Sequence, residues 1–411
     1  MILKTQLSSL LVFVVLISSA TLYATPAHAN QFLTTGRIFG STATVDNEGA
    51  LIVVGSSTFF SNGRSEAFFF KYAPSGTRLC MKTFGQGEPL DTFGYSVATD
   101  ASDNIYIVGT TQTFGGEDYD VFVQKYDQSC NFIYQLQWAG PGDDIARGIA
   151  IDAADNIYVT GSTTSYGSGQ ADVFLLKYSS DGNLIFSKIW GGPRNDYGNS
   201  VTVDMQGNVY VVGSTSSYGA GQSNIVLLKF DSSGNLTLQQ TWGGPSRQTD
   251  YGTGVAVDAA GNVYVAGYTF SWTPGNSRVV LLKYDSSGNL LSDTIWGGSQ
   301  NDFSAAIATD NVGNVYVTGY TYSYGGTPGV ATALLLKFDP TGTLLYQKTW
   351  GGRRGDFGYG VAVDFGGNVY VSGYSYSFGP NNQGANLFIL KYDRSGELLS
   401  QKTYGGGIPD P

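Results

Sequence analysis

The sequence predicts an all-β fold, a seven-bladed β-propeller with four antiparallel strands per blade. Three observations predict it. An aromatic residue returns at one place in seven successive segments, as Phe84, Trp138, Trp190, Trp242, Trp296, Trp350 and Tyr404, always 52 or 54 residues apart. A Lys followed by Tyr or Phe keeps the same beat (Lys71, Lys125, Lys177, Lys229, Lys283, Lys337, Lys391), as does an Asp (Asp46, Asp100, Asp152, Asp204, Asp258, Asp310, Asp364). Each segment also reads as four short runs of alternating polarity separated by turn sequences, which is the pattern of two hairpins. One such unit cannot bury both of its faces, whereas seven in a ring can, and the ring leaves only short edges. The blades fall at about 37–84, 85–138, 139–190, 191–242, 243–296, 297–350 and 351–406.

The fourth blade shows the elements in order. Residues 198–204 (GNSVTVD) are small and alternating, which suits the crowded innermost strand. Residues 208–214 (NVYVVGS) form the second strand and 224–230 (NIVLLKF) an apolar third. Residues 236–242 (LTLQQTW) form the outermost strand, whose terminal aromatic would pack between blade edges. The first and third connections, Asp-Met-Gln-Gly-Asn and Asp-Ser-Ser-Gly-Asn, are turns in which Asp caps backbone amides and Gly or Asn accepts positive φ. A parallel β-solenoid is the rival fold, but its coils are usually shorter and lack these paired hairpins. The last repeat ends with its own fourth strand, Leu398 to Tyr404, so blade 7 should meet blade 1 through side chains, with 31–35 as an added edge.

These motifs carry a family resemblance. Gly254-Val-Ala-Val-Asp258, Gly261-Asn-Val-Tyr-Val-Ala-Gly267, Leu281-Leu-Lys-Tyr-Asp285 and Trp296-Gly-Gly resemble the SBBP-type repeats of seven-bladed propellers in bacterial and archaeal secreted and surface proteins. The resemblance covers all seven copies. Blade 1 departs most, with Ile52 for the strand-two Tyr and Phe84 for Trp. The resemblance implies a fold and an extracellular setting; it implies no reaction.

Residues 1–29 read as a secretory signal peptide, with Lys4, the apolar run Leu10 to Ile17, and Ala27-His28-Ala29 before a cleavage site at Asn30. The run is short for about 30 Å of hydrocarbon. The single domain is then 30–411, secreted or at the cell surface. Its acidic balance (22 Lys and Arg against 32 Asp and Glu in the whole chain) argues against nucleic acid and anionic membranes. Cys80 and Cys130 could pair in an oxidising compartment, but they sit at different places in neighbouring repeats, so two unpaired thiols are an equal expectation.

Chemistry is narrowed by what is missing. His28 is the only histidine, so the mature chain has no imidazole for a triad, a base or a metal. Two cysteines cannot build a Cys₄ zinc site, and there is no phosphate-binding loop. No catalytic and no metal-ligating residue is assigned. Paired carboxylates are the remaining route to catalysis. Asp91, Asp144, Asp196, Asp250, Asp302 and Asp356 stand before the first strand of six repeats, and such a repeated residue is more economically structural. No cofactor is expected; Ca²⁺ is the one ion the Asp/Asn/Gly turns suit. The repeating Lys should pack its stem while its amine reaches a first-turn Asp, such as Asp204 for Lys229.

Positions that break the repeat are the informative ones. The loops between strands two and three vary and share a face with the blade-joining segments. That face carries Tyr166, Tyr218, Trp272, Tyr324 and Phe378, together with Arg194 and Arg353, and these seven are the candidate ligand-binding residues. Arg147, Arg247 and Arg354, and the blade-joining Tyr197, Tyr251, Phe303 and Phe357, lie nearby. A Tyr/Ser/Gly/Asn surface with rigid rings suits recognition, although the repeated rings are equally placed to plug gaps between blades. The expected function is a non-catalytic binding or scaffold module for an extracellular polysaccharide or protein, monomeric, with no nucleic-acid partner and no membrane insertion. A carboxylate-based glycosidase or lyase is the alternative.

Overall fold

Alternating runs that end in Asp-x-x-Gly-Asn turns fold here as consecutive antiparallel hairpins. The computed structural model describes residues 37–405 apart from 60–63, 85–90, 113–117, 274 and 380–383, so the signal-like segment and residues 31–35 lie outside it. The described residues form seven sheets of four consecutive strands each. The sheets run from Arg37 to Phe84, Thr92 to Trp138, Asp144 to Trp190, Asp196 to Trp242, Asp250 to Trp296, Asp302 to Trp350 and Asp356 to Tyr404. In blade 4 the strands are Asp196–Val203, Val209–Thr215, Asn224–Phe230 and Leu236–Trp242.

The core sits in the seams. One cluster joins Tyr210, Ile225, Leu227 and Trp242 of blade 4 to Val255, Val265, Val280 and Tyr284 of blade 5. Strands two and three are buried on both faces, which is why they read as unbroken apolar runs. Among the described residues the ring closes without strand exchange: Tyr370, Leu387, Ile389 and Tyr404 of blade 7 pack on Val53, Phe68, Phe70 and Tyr72 of blade 1. Lys402 Nζ adds a hydrogen bond to the Gly76 carbonyl at 2.6 Å.

The turn Asp behaves as a cap. Asp204 accepts from the Gln206 and Asn208 amides at 2.9 and 2.8 Å, and from Asn208 Nδ2 and the Tyr210 hydroxyl at 2.8 and 3.1 Å. This full shell corrects the expectation for Lys229. With Asp204 occupied by Tyr210, Lys229 Nζ donates across the seam to the Ser286 carbonyl at 2.9 Å and lies over the Tyr210 ring. Lys71 does reach its own turn, pairing with Asp46 at 2.9 Å.

Two further expectations are corrected. Cys80 and Cys130 form a disulfide between blades 1 and 2. Strand four of each blade runs along the three–four turn of the next, so unequal repeat positions meet. Phe186 lies against Gly234, and these are the counterparts of Cys80 and Cys130. Cys130 accordingly has φ 66°, in the place where Gly182 and Gly234 have 85° and 80°. The carboxylate series also shifts by one in blade 2. Thr92 pairs with Thr111 as Asp144 pairs with Thr163, so Asp91 is the equivalent of Asp143. Asp91 and Asp143 accept from the Ser65 and Tyr119 amides of the preceding blade, at 2.6 and 3.0 Å.

Every first strand carries a β-bulge at its fourth residue, or its fifth in blade 1, beside a Gly of strand two. At this bulge the backbones approach so closely that a Cβ on Gly213 would overlap the Tyr197 carbonyl oxygen. Gly213→Ala is therefore expected to cost about 1–3 kcal/mol, as overpacking does, read as a lower urea midpoint. An unchanged midpoint would show that the bulge yields freely.

Candidate functional site

The bulge gives each blade one residue that has no partner across the ladder and is turned out of the sheet, the usual effect of such an insertion. In blades 2 to 7 this residue is Tyr95, Arg147, Asn199, Thr253, Ala305 and Tyr359. The strands around it are nearly identical, yet this position differs from blade to blade. All six residues line one cavity of about 570 Å³ on the axis of the ring, within the usual 300–1,000 Å³ of ligand pockets. Tyr197, Tyr251 and Phe303, near the start of their first strands, also line it, as do Ser214, Tyr268 and Tyr320, near the end of their second. The cavity thus opens on the face of the two–three loops.

Its wall is asymmetric. In blades 5 to 7, cross-strand partners at the mouth are both aromatic: Tyr251 with Tyr268, Phe303 with Tyr320, and Phe357 with Tyr374. In blades 2 to 4 the second partner is small: Thr110, Ser162 or Ser214. The rings form a continuous crescent. Tyr251–Tyr268, Tyr268–Phe303, Phe303–Tyr320, Tyr320–Phe357 and Phe357–Tyr374 have centroids 4.9–5.0 Å apart. Tyr359 stacks on Tyr374 at 5.4 Å. Burial pushes the Tyr320 hydroxyl up to about 12 and raises Tyr268 and Tyr359 as well, so these phenols are neutral donors and acceptors at neutral pH. Asn199, Thr253 and Ser304 add hydrogen-bonding groups. Among the described residues the lining contains one charged side chain, Arg147, and no carboxylate.

The residues singled out from sequence lie elsewhere. Tyr166, Tyr218, Tyr324 and Phe378 stack on Trp138, Trp190, Trp296 and Trp350 of the preceding blade, with centroids 4.8–5.1 Å apart. The Tyr218 hydroxyl also donates to the Gly191 carbonyl at 3.0 Å. Each ring therefore closes its own seam at the outer strand, while part of it stays exposed. Trp272 is different. It sits on a longer hairpin, Val263–Thr273 with Asn276–Tyr284, makes no ring contact among the described residues and is 47% exposed. Arg194 and Arg353 are exposed on blade-joining segments, where the Arg194 amide is held by Ser217 Oγ at 3.1 Å. The structure spreads these seven over the rim and does not gather them at one point.

The channel residues were present in the sequence as small deviations. Strand two ends Gly267-Tyr-Thr-Phe, Gly319-Tyr-Thr-Tyr and Gly373-Tyr-Ser-Tyr in blades 5 to 7, but Gly161-Ser-Thr-Thr and Gly213-Ser-Thr-Ser in blades 3 and 4. Tyr359 and Arg147 stand where the shared pattern has an unspecified residue.

The Asp residues that open first strands are buried and fully engaged. Asp196 accepts from Thr215 Oγ1, from Ser217 Oγ at 2.7 Å and from the Gly192 amide at 2.8 Å. Among the described residues no three His, Cys, Asp or Glu side chains cluster as a metal site. A second cavity of about 500 Å³ on the opposite face lies between the one–two turns of blades 4 and 5, beside Asp204 and Asp258, whose oxygens cap those turns.

Comparison with known proteins agrees with this architecture. A β-propeller repeat model, SBBP, matches residues 85–114, 133–167, 185–219, 239–271, 294–326 and 350–379. A propeller domain of unknown function matches 154–184. An uncharacterized WD repeat-containing protein of Acanthamoeba polyphaga mimivirus is 23% identical over 84% of this chain and 30% of its own length. Regulatory protein FlaEY of Caulobacter vibrioides is 27% identical over 50% of this chain and 26% of its own. The chain thus spans less than a third of either relative. Among solved structures, the propeller domain of the trilobed protease from Pyrococcus furiosus, described as having an open velcro topology, aligns with a TM-score of 0.53 at 10% identity. That alignment covers 90% of this chain and 98% of the domain. Puromycin hydrolase aligns with a TM-score of 0.54 at 13% identity, over 92% of this chain and 55% of the enzyme. Likeness at such identity establishes the shared fold alone. With six repeat matches spread over seven copies of one four-stranded unit, the chain belongs to the SBBP β-propeller repeat family.

Proposed function

We propose that the protein is a secreted, non-catalytic binding or scaffold module that holds a polysaccharide or a protein segment on its two–three loop face, centred on the channel mouth. The observation that carries this reading is the contrast between near-identical blades and a mouth whose residues depart from the repeat and differ from one side of the ring to the other. A fold that needed only to close its ring has no use for an aromatic crescent on one side and small residues on the other. Flat rings with flanking hydroxyl and amide groups suit stacking on sugar rings or on apolar side chains. That the described lining residues include no carboxylate supports binding over acid–base hydrolysis. The signal-like first 29 residues and the Cys80–Cys130 bridge support an extracellular setting.

A polysaccharide array probed with the purified protein, with Tyr320→Ala and with Trp272→Ala, tests this. Expected is a glycan signal that Tyr320→Ala reduces about tenfold, the loss of one stacking contact of ~1–1.5 kcal/mol. A smaller loss with Trp272→Ala would extend the site to the rim hairpin. No signal on any glycan would sink the polysaccharide arm and leave a protein partner. Hydrolysis of a bound glycan would overturn the non-catalytic reading.

A further inference from the structure

The binding reading leaves one residue of the channel unexplained. Arg147 is the bulge residue of blade 3 and is exposed to the cavity. Its guanidinium lies 5.9 Å from the centre of the Tyr95 ring. Among the described residues no Asp or Glu oxygen lies within 4.0 Å of it, whereas Arg278, at a seam, has Asp302 at 3.9 Å. The chain has ten more acidic than basic residues, as its net charge of −10 shows. Even so, the one charged side chain among the described residues lining this cavity is a cation. In a ring of seven, the blades farthest from blade 3 are blades 6 and 7, which supply Phe303, Tyr320 and Tyr359. The cavity therefore sets a guanidinium that has no counter-ion among the described residues across from an aromatic wall, with Asn199 and Thr253 on the blades that follow blade 3.

We infer that the channel mouth is a site for an acidic sugar, a uronate residue of an anionic polysaccharide, with Arg147 holding the carboxylate and the crescent stacking on the pyranose face. This rests on the binding function proposed above and adds its ligand class. A guanidinium matches a carboxylate with two parallel hydrogen bonds, and the cavity shields that pair from water more than an open surface does. Neutral sugars would gain the stacking but leave Arg147 unpaired. The neutral tyrosines add donors for sugar hydroxyls and put no negative charge next to the carboxylate.

The test is calorimetric titration of the purified protein with a galacturonate trisaccharide and with its methyl ester, which keeps the rings and hydroxyls and removes the negative charges. The acid is expected to bind about tenfold or more tighter, the worth of one charge-assisted pair. Arg147→Gln should erase that difference by weakening the acid alone, and Arg147→Lys should restore part of it. Tyr320→Ala should weaken both ligands alike. Unaltered melting of the variants shows that the ring is intact. A sulfated trisaccharide bound as tightly as the uronate would overturn the assignment to carboxylates. Equal binding of acid and ester, unmoved by Arg147→Gln, would overturn the acid specificity while leaving the binding function standing. Binding of neither would overturn the acidic-sugar site and the polysaccharide reading together.

Discussion

Cutting the bridge between blades 1 and 2 is expected to lower the unfolding free energy by up to about 4 kcal/mol, the chain entropy released when a closed loop of some 50 residues is opened. The variant that isolates the cross-link is Cys80→Ser with Cys130→Gly. Glycine is the residue that stands at the Cys130 position in blades 3 and 4, and it accepts the φ of 66° there without strain. The contrast with Cys80→Ser and Cys130→Ser separates the loss of the bond from the cost of a side chain in left-handed backbone. Blade 1 departs most from the repeat, so its seam should open first, and reductant should reproduce the variant's effect on the wild type. The measurement is denaturant unfolding with and without reductant. Coincident curves would mean that the seam's apolar cluster of Ile52, Val54, Phe69, Ile105 and Phe122 holds the ring unaided.

A second large effect concerns pH. At two seams, buried carboxylates of adjacent blades face each other: Asp120 with Asp144, and Asp172 with Asp196, all 0–2% exposed. Burial, with the Asp120 charge adding to it, raises Asp144 to about 6 from its ordinary 3.8 against hydrogen bonds from Thr163 and Ser165. Burial and the Asp196 charge raise Asp172 too, against the Ser168 amide. The same third-strand position holds Asn224, Arg278, Thr332 and Asn386 in later blades, where the charge is absent or reversed. A carboxyl whose folded pKa is raised binds its proton more tightly in the folded state. Its contribution is complete below about 4 and is lost as pH rises through about 6, a loss of ~3 kcal/mol for a shift of about two units. The turn caps Asp152, Asp231, Asp310 and Asp393 are lowered, and their contribution is lost as pH falls below the ordinary carboxylate range. Stability should therefore peak near pH 4, falling below it as the caps are protonated and above it as the raised carboxyls ionise. Asp172→Asn, copying Asn224, should gain stability at pH 7 and almost nothing at pH 4. An equal change at both pH values would refute the charge account.

Much of this molecule is local and was therefore legible. Alternation with period two, the Asp-x-x-Gly-Asn caps and the recurring Lys-aromatic and Trp each act within one blade, so a single repeat displays them and the number of copies sets the number of blades. The candidate site is legible only in part: the sequence puts Tyr197, Tyr251, Phe303 and Arg147 near the correct face, whereas Tyr320 and Tyr359 read as unremarkable substitutions. The tertiary structure decided what depends on two blades at once. Strand four lies along the next blade's turn, which brings Cys80 to Cys130 although their repeat positions differ. Strand three begins beside the start of the next first strand, which sets Asp172 against Asp196. Ring closure turns one bulge residue from each blade toward a common axis, so side chains more than 50 residues apart become neighbours in one cavity. No pattern within a repeat records that axis, because convergence is a property of the closed ring and not of any of its strands.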